Sequence, residues 1–291
     1  MRVYGLDFTS SPRREKPITC VAATLIEQAL HVESLVVFES LDTFENFLGS
    51  PGPWIAAMDF PFGQPRKLRR NLGWPEDWAE IARLVAAMAP AEFERVLTEY
   101  RGAREPGDKH HRRDTDLLAR SQSPMTLYGV PVAKMFYRGA PLLERSRVNI
   151  IPCRRLNKDR YVVEGYPALV ARRYIGRTKY KSDERRYQTS ERENARRALV
   201  DLLQSPRLEQ DFGLRLDLPH GLTGEFLADA TADRLDALLC AIQGAWAWTL
   251  RDSNYGVPEG VDPVEGWIVD PGLAEPAQLG VRPKPALRLV K

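Results

Sequence analysis

The runs RVYGLDF and PWIAAMDFPFG are short, apolar and strand-like, and each delivers an aspartate at its C-terminal end, Asp7 and Asp59. A third strand-like run, DRYVVEGYP, carries Glu164, and the late segment DATADRLDALLCAIQGAW holds Asp229, Asp233 and Asp236. Their steps of four and three residues stack these last side chains along one helix face. A carboxylate at the end of a buried strand is costly unless it reaches water, hydrogen-bond donors or a cation. Taken alone, Asp7 reads as the cap of the turn that follows it. Asp233 alone reads equally well as an acid favoured by the positive end of a helix, with Thr231 as the N-cap. Asp236 is harder to explain that way, because an apolar run follows it at once. Carboxylates gathered from several elements repel one another and require cations. Oxygen donors without His or Cys select Mg²⁺ or Mn²⁺ over zinc. Two such ions a few ångströms apart activate water and stabilise the leaving oxygen in phosphodiester cleavage.

The elements that must position these acids follow from the pattern of the chain. RVYGLDF, ITCVAATLIE and ALHVESLVVFES are β-rich and closely spaced, as in an antiparallel meander. LDTFENFLG reads as a short helix, with Asp42 and Glu45 at capping-box spacing and Gly49 at its end. PWIAAM is apolar throughout, the pattern of a strand covered on both faces. Residues 66–145 read as a mostly helical insertion, with Pro75 and Pro90 placed to start helices and Gly102 to end one. Within it, RGAREPGDKHHRRDTD reads as a polar loop, and a further helix through SPMTLYGVPVAKMFYRGAPLLERS is broken at Pro131 and Gly139. After Glu164 come a turn at Pro167, a helix, a second helix in RENARRALVDLLQS, and a long one over roughly Ala228–Leu250. The expected organisation is a core of residues 1–65 and 146–255, the 66–145 insertion, and a C-terminal extension over 256–291.

At 291 residues the chain is long enough for one large core or two modest ones, and 43% hydrophobic with 28% charged residues is an ordinary globular balance. A net charge of +3 permits a polyanionic partner without demanding one. Cys20, Cys153 and Cys240 are far apart and lack C-x-x-C spacing, which argues against a zinc ribbon or a disulfide framework. With no signal-peptide pattern and no membrane-length apolar run, the expectation is a cytoplasmic protein without a membrane partner, with a homodimer allowed.

The order of an aspartate on the first strand, a three-strand meander, a helix, an aspartate on the fourth strand and D-x-x-D-A on a late helix resembles the ribonuclease H-like fold. The D-x-x-D-A stretch, Asp233 to Ala237, is similar to Holliday-junction resolvases. More closely, GLDF, AMDFPFG, EGYPA and RLDALLCAI together look like the family of predicted ribonuclease H-like nucleases once described as a domain of unknown function. That resemblance runs from the first strand to about Trp248 and is weakest over 66–145. It implies an α/β fold, a mixed sheet flanked by helices, and a two-metal-ion nuclease acting on RNA or DNA. Asp7 would bridge both Mg²⁺ or Mn²⁺ ions, and Asp59 and Asp236 would be the further catalytic ligands. Asp233 would be an outer or alternative ligand. Glu164 would either ligate metal or bond to the Tyr166 region or the backbone.

The run ARRYIGRTKYKSDERR offers Arg172, Arg173, Arg177, Lys179 and Lys181 to phosphates, with Tyr174 and Tyr180 as faces for bases. The same run also reads as an ordinary solvated surface. His110 and His111 are a further candidate phosphate contact or acid/base pair in the polar loop. Two other functions compete with the nuclease: a non-catalytic nucleic-acid-binding protein of the same fold, and an actin-like or sugar-kinase-like phosphotransferase. The latter is disfavoured because FTSSP is a poor phosphate loop.

Overall fold

A computed structural model of the chain describes residues 1–274. In chain order its elements are β1 (Arg2–Asp7), β2 (Ile18–Ile26), β3 (Ala29–Phe38), α1 (Leu41–Leu48) and β4 (Trp54–Met58). Then come α2 (Arg66–Leu72), α3 (Trp78–Ala87), α4 (Pro90–Gly102), α5 (Asp114–Ala119) and α6 (Val132–Ser146). The chain continues through β5 (Asn149–Ile151), β6 (Arg160–Glu164), α7 (Pro167–Ile175), α8 (Ser190–Leu203) and α9 (Pro206–Phe212). It closes with β7 (Arg215–Asp217), α10 (His220–Ala228) and α11 (Asp233–Thr249).

The strands form one seven-stranded mixed sheet in the order β5-β6-β4-β1-β2-β3-β7. The β1–β2–β3 meander is antiparallel, as its spacing implies, whereas β4 lies parallel to β1 on the other side and β6 parallel to β4. The α1 crossover therefore carries the chain past β1, and the C-terminal ends of β1 and β4 lie side by side. In open α/β sheets such a crevice is where ligands bind.

Side chains alternate across the sheet. Val3 and Val21 share a core with Ile55, Ala57 and the helices α7, α8 and α11. Leu6, Trp54, Ala56 and Met58 turn the other way and pack with α1, α3, α4 and α6. The 66–145 region is mostly helical as expected, and it supplies the layer that covers this second face. Residues after 255 also join the core: Trp267, Ile268 and Val269 are buried, and the Val269 amide donates to the Glu164 carbonyl at 2.9 Å. The remainder of the expected C-terminal extension, 275–291, lies outside the described residues.

Local chemistry changes several boundaries. The capping box of α1 uses Ser40 and Thr43 rather than Asp42 and Glu45, while Gly49 ends the helix as its type suggests. Asp77 caps α3 by accepting from the Glu80 amide at 2.9 Å, so that helix starts after Pro75 rather than on it. Helix α6 runs unbroken through Gly139 and Pro141. Gly139 is there for packing: a Cβ at this position would lie 2.4 Å from the Phe60 ring. The helix expected over roughly Ala228–Leu250 begins only at Asp233: α10 ends at Ala228, and the turn between the two helices holds Ala232 at a left-handed φ of 58°. No helix among the described residues is long and apolar enough to cross a membrane.

Candidate functional site

Alternation and register decide which acids meet. Leu6 pairs with Met58 across the parallel β1–β4 ladder, so Asp7 and Asp59 follow on neighbouring strands, and the Asp59 amide donates to the Leu6 carbonyl at 3.0 Å. Asp7 shares its parity with Val3 and Gly5, and Asp59 shares its parity with Ile55 and Ala57. Both side chains therefore face the α11 layer. The helix is close because Gly5 has no side chain: a Cβ there would lie 2.0 Å from the Ala237 carbonyl oxygen and 2.1 Å from the Ala241 amide. Asp236 directly precedes Ala237 and is held, fully buried, over the strand ends.

The start of α11 sorts its acids. Asp229 lies before the helix, not on its face. Its carboxylate accepts from the Arg234 amide at 3.0 Å, and from the Thr231 amide and hydroxyl at 3.1 and 2.6 Å. It thus performs the capping expected of Thr231. Asp233 is left uncommitted and lines a cleft with Asp7 and Asp59. Lys16, Lys181, Thr9 and Ser10 line the same cleft.

The carboxylates repel one another. Burial, and then the charges of Asp236 and Asp233, hold Asp7 well above the ordinary carboxylate range. Burial followed by Asp236 pushes Asp59 up to about 7, with Lys181 pulling the other way. Asp233 is raised by burial, an effect that Lys16 opposes. Asp236 differs from its neighbours because both its oxygens are engaged. The Tyr180 hydroxyl donates to Oδ1 at 2.7 Å, and the Lys181 ammonium pairs with Oδ2. Burial works against that ammonium, but Asp236, followed by Tyr180 and Asp7, outweighs it and holds Lys181 well above the usual lysine range.

The Tyr180–Lys181 segment is strapped across the start of α11. Buried Arg196 donates to the Tyr180 and Leu227 carbonyls at 2.9 and 3.0 Å, Arg192 to the Lys181 carbonyl at 2.6 Å, and the Ser182 amide to the Ala230 carbonyl at 3.1 Å. Nothing in the sequence marked Tyr180 or Arg196 as partners of this site. The tyrosine-lysine pair lay within a basic run that suggested phosphate contacts instead.

Three expectations require correction. Glu164 has the parity of Val162, which packs with the α1, α3, α4 and α6 layer, and it aligns with Met58 rather than Asp59. It turns to the opposite face of the sheet, where Arg113 donates to its two oxygens at 2.6 and 2.8 Å and the Phe62 amide adds a bond of 2.9 Å. A carboxylate so fully engaged is removed from the ligand set; its partners are the Arg113 side chain and the Phe62 amide, and none of these bonds goes to Tyr166. In the basic run, Arg172 turns inward to the Ala168 and Ala119 carbonyls, Arg173 pairs with buried Asp270, and Lys181 pairs with Asp236. Arg177 and Lys179 remain exposed. In the polar loop His111 is buried, with its ring nitrogen 2.7 Å from the Tyr100 hydroxyl, and burial lowers its pKa.

A second, more apolar cavity adjoins the cleft, shares Asp59, Val130, Met135 and Lys181 with it, and adds Phe60, Tyr166 and the Arg113–Glu164 pair to its wall. Among the described residues no group of three or more His, Cys, Asp or Glu side chains is spaced to hold a metal ion as it stands. The donor chemistry nevertheless suits a hard divalent ion at Asp7 and Asp59. Both are carboxylates facing a cleft, and burial and like charge, both relieved by a cation, dominate their shifts. Residues 5–261 match the model of a family described as a protein of unknown function (DUF429). The chain belongs to this family. No curated protein and no solved structure matched it.

Proposed function

We propose that this DUF429 member is a divalent-metal-dependent nuclease of ribonuclease H-like fold, hydrolysing phosphodiester bonds of RNA or DNA in the cleft of Asp7, Asp59 and Asp233. One observation carries the reading. Two aspartates at the ends of adjacent parallel strands face the same cleft, and their raised pKa values come mainly from burial and then from the charge of Asp236 on the helix above them. Asp7 and Asp59 would hold Mg²⁺ or Mn²⁺. When bound, such an ion supplies Lewis acidity toward water and a phosphate oxygen. The chain's own cations then have a clear task. Lys16, paired with Asp183 at 2.9 Å, and Lys181, paired with Asp236, line the cleft and offset part of the negative charge that would repel a phosphodiester. Arg177 and Lys179, exposed on the approach to the Tyr180–Lys181 strap, extend that compensation along a backbone. The meander, the parallel fourth strand and the late acidic helix support the fold assignment.

The test is a cleavage screen with Mg²⁺ or Mn²⁺ on single-stranded, duplex, hybrid and branched substrates. The wild type is expected to cut at least one class, and Asp7→Asn or Asp59→Asn to lose about 100-fold or more. A wild type inert on all of them, or a variant as active as the parent, would overturn the proposal.

A further inference from the structure

Asp236 is the acid with the least freedom to bind an ion. One of its oxygens is held by Tyr180 and the other by Lys181, and the carboxylate is fully buried. The strap that brings Lys181 is fixed by bonds from Arg192, Arg196 and Ser182, so this pairing is built into the fold. Lys181 also borders both the acidic cleft and the adjoining cavity, as Asp59 does. Its ammonium therefore lies where the charges of Asp7, Asp59 and Asp236 are jointly felt. The formal charges agree with this placement. With Asp7, Asp59, Asp236, Asp233 and Asp183 ionised, Lys181 and Lys16 leave three negative charges, which one divalent ion reduces to one. A second ion would leave the site positive before any substrate arrived.

From this geometry we infer that Lys181 takes the place of a second cation, so the site binds a single divalent ion held by Asp7 and Asp59. This rests on the metal-dependent reading above and departs from a two-ion site. The phosphate charge that a second ion would compensate falls instead to the lysine ammonium, a compact point charge that Asp236 and the strap hold at the edge of the cleft.

Calorimetric titration with Mn²⁺ alone, checked by the paramagnetic signal of free Mn²⁺, tests the stoichiometry without reference to activity. The wild type is expected to bind one ion. Asp236→Asn should still bind one, because Asp236 serves Lys181 rather than the ion. Lys181→Met should bind two, since it frees an Asp236 oxygen. Two ions on the wild type, loss of the ion in Asp236→Asn, or one ion on Lys181→Met would each overturn the inference while leaving a metal-dependent site standing. A wild type that binds no Mn²⁺ would instead remove the metal-dependent reading itself. Should Lys181→Met fail to fold, the wild type and Asp236→Asn decide the matter.

Discussion

Asp59 couples the proposed chemistry to stability. Its pKa is raised from 3.8 in an ordinary environment to about 7. Between those values the folded protein keeps a proton that the unfolded chain has released, so the native state binds more protons and stability falls as pH rises. Below the lower value both states are protonated and the shift contributes nothing against folding. Above about 7 both are ionised, and the full cost of burying the charge is felt. Asp59→Asn is therefore expected to melt higher than the metal-free wild type at about pH 8, with the gap closing toward about pH 4. Adding Mn²⁺ at the higher pH should stabilise the wild type and not the variant, because only a bound ion favours the folded state by mass action. Thermal melts across pH, with and without Mn²⁺, measure this directly. A gap of constant size, or a variant that melts lower throughout, would mean that Asp59 is satisfied structurally.

At the scale of elements, the site depends on how closely α11 lies on β1. Gly5, Ala57, Ala237, Ala241 and Gly244 form the contact, and the Gly5 position admits no Cβ at all. Gly5→Ala meets backbone on the facing helix, which cannot rotate away as a side chain can, and should cost about 3 kcal/mol. Gly244→Ala is the control: its new Cβ would meet the Ala57 Cβ at 3.3 Å, a contact that a small shift relieves. Denaturant unfolding of the two variants should show a much larger loss for Gly5→Ala, together with weakened Mn²⁺ binding as Asp7, two residues further along the same strand, is displaced. Equal losses would mean that the close approach does not position the site. Much of this arrangement was legible in the sequence. Apolar runs ending in Asp7 and Asp59 revealed both strands, and the apolar surface of α11 marked it as a core helix. The division before Asp233 was not legible, because it depends on a left-handed Ala232 and on Asp229 folding back to cap the Arg234 amide. Neither has a signature in residue type. The very short β5 and β7 escaped for a related reason: three residues are too few for alternation to show.

Across the whole molecule, the insertion is joined to the sheet by a buried ionic network that sequence spacing could not reveal. Arg113 sits in a stretch that reads as polar loop, yet it is 2% exposed and donates to Asp116, Glu164 and the Glu265 carbonyl. It thereby ties the start of α5, the end of β6 and the C-terminal segment at one point. Burial disfavours its charge, but Asp116 and then Glu164 more than offset that. Asp262 reinforces the same joint by pairing with buried Arg69 and with Arg66, and Thr115 accepts from the Ile268 amide at 3.0 Å. The alternation of RYVVE did carry one recoverable signal: Glu164 shares the parity of Val162, and Val162 faces the insertion. Arg113→Met would leave two buried carboxylates without their counter-charge and should cost about 3–5 kcal/mol. Combining it with Glu164→Gln should cost less than the sum of the single changes, because one orphaned charge is then neutral. The Glu164→Gln variant also separates structure from chemistry. Glu164 borders the same cavity as Asp59, and its charge adds to the rise in the Asp59 pKa. Its oxygens are taken by Arg113 and the Phe62 amide, however, so the variant should still bind one Mn²⁺ even though it unfolds more easily. If Glu164→Gln instead lost Mn²⁺ binding with its stability unchanged, Glu164 would return to the ligand set and the parity argument would fail.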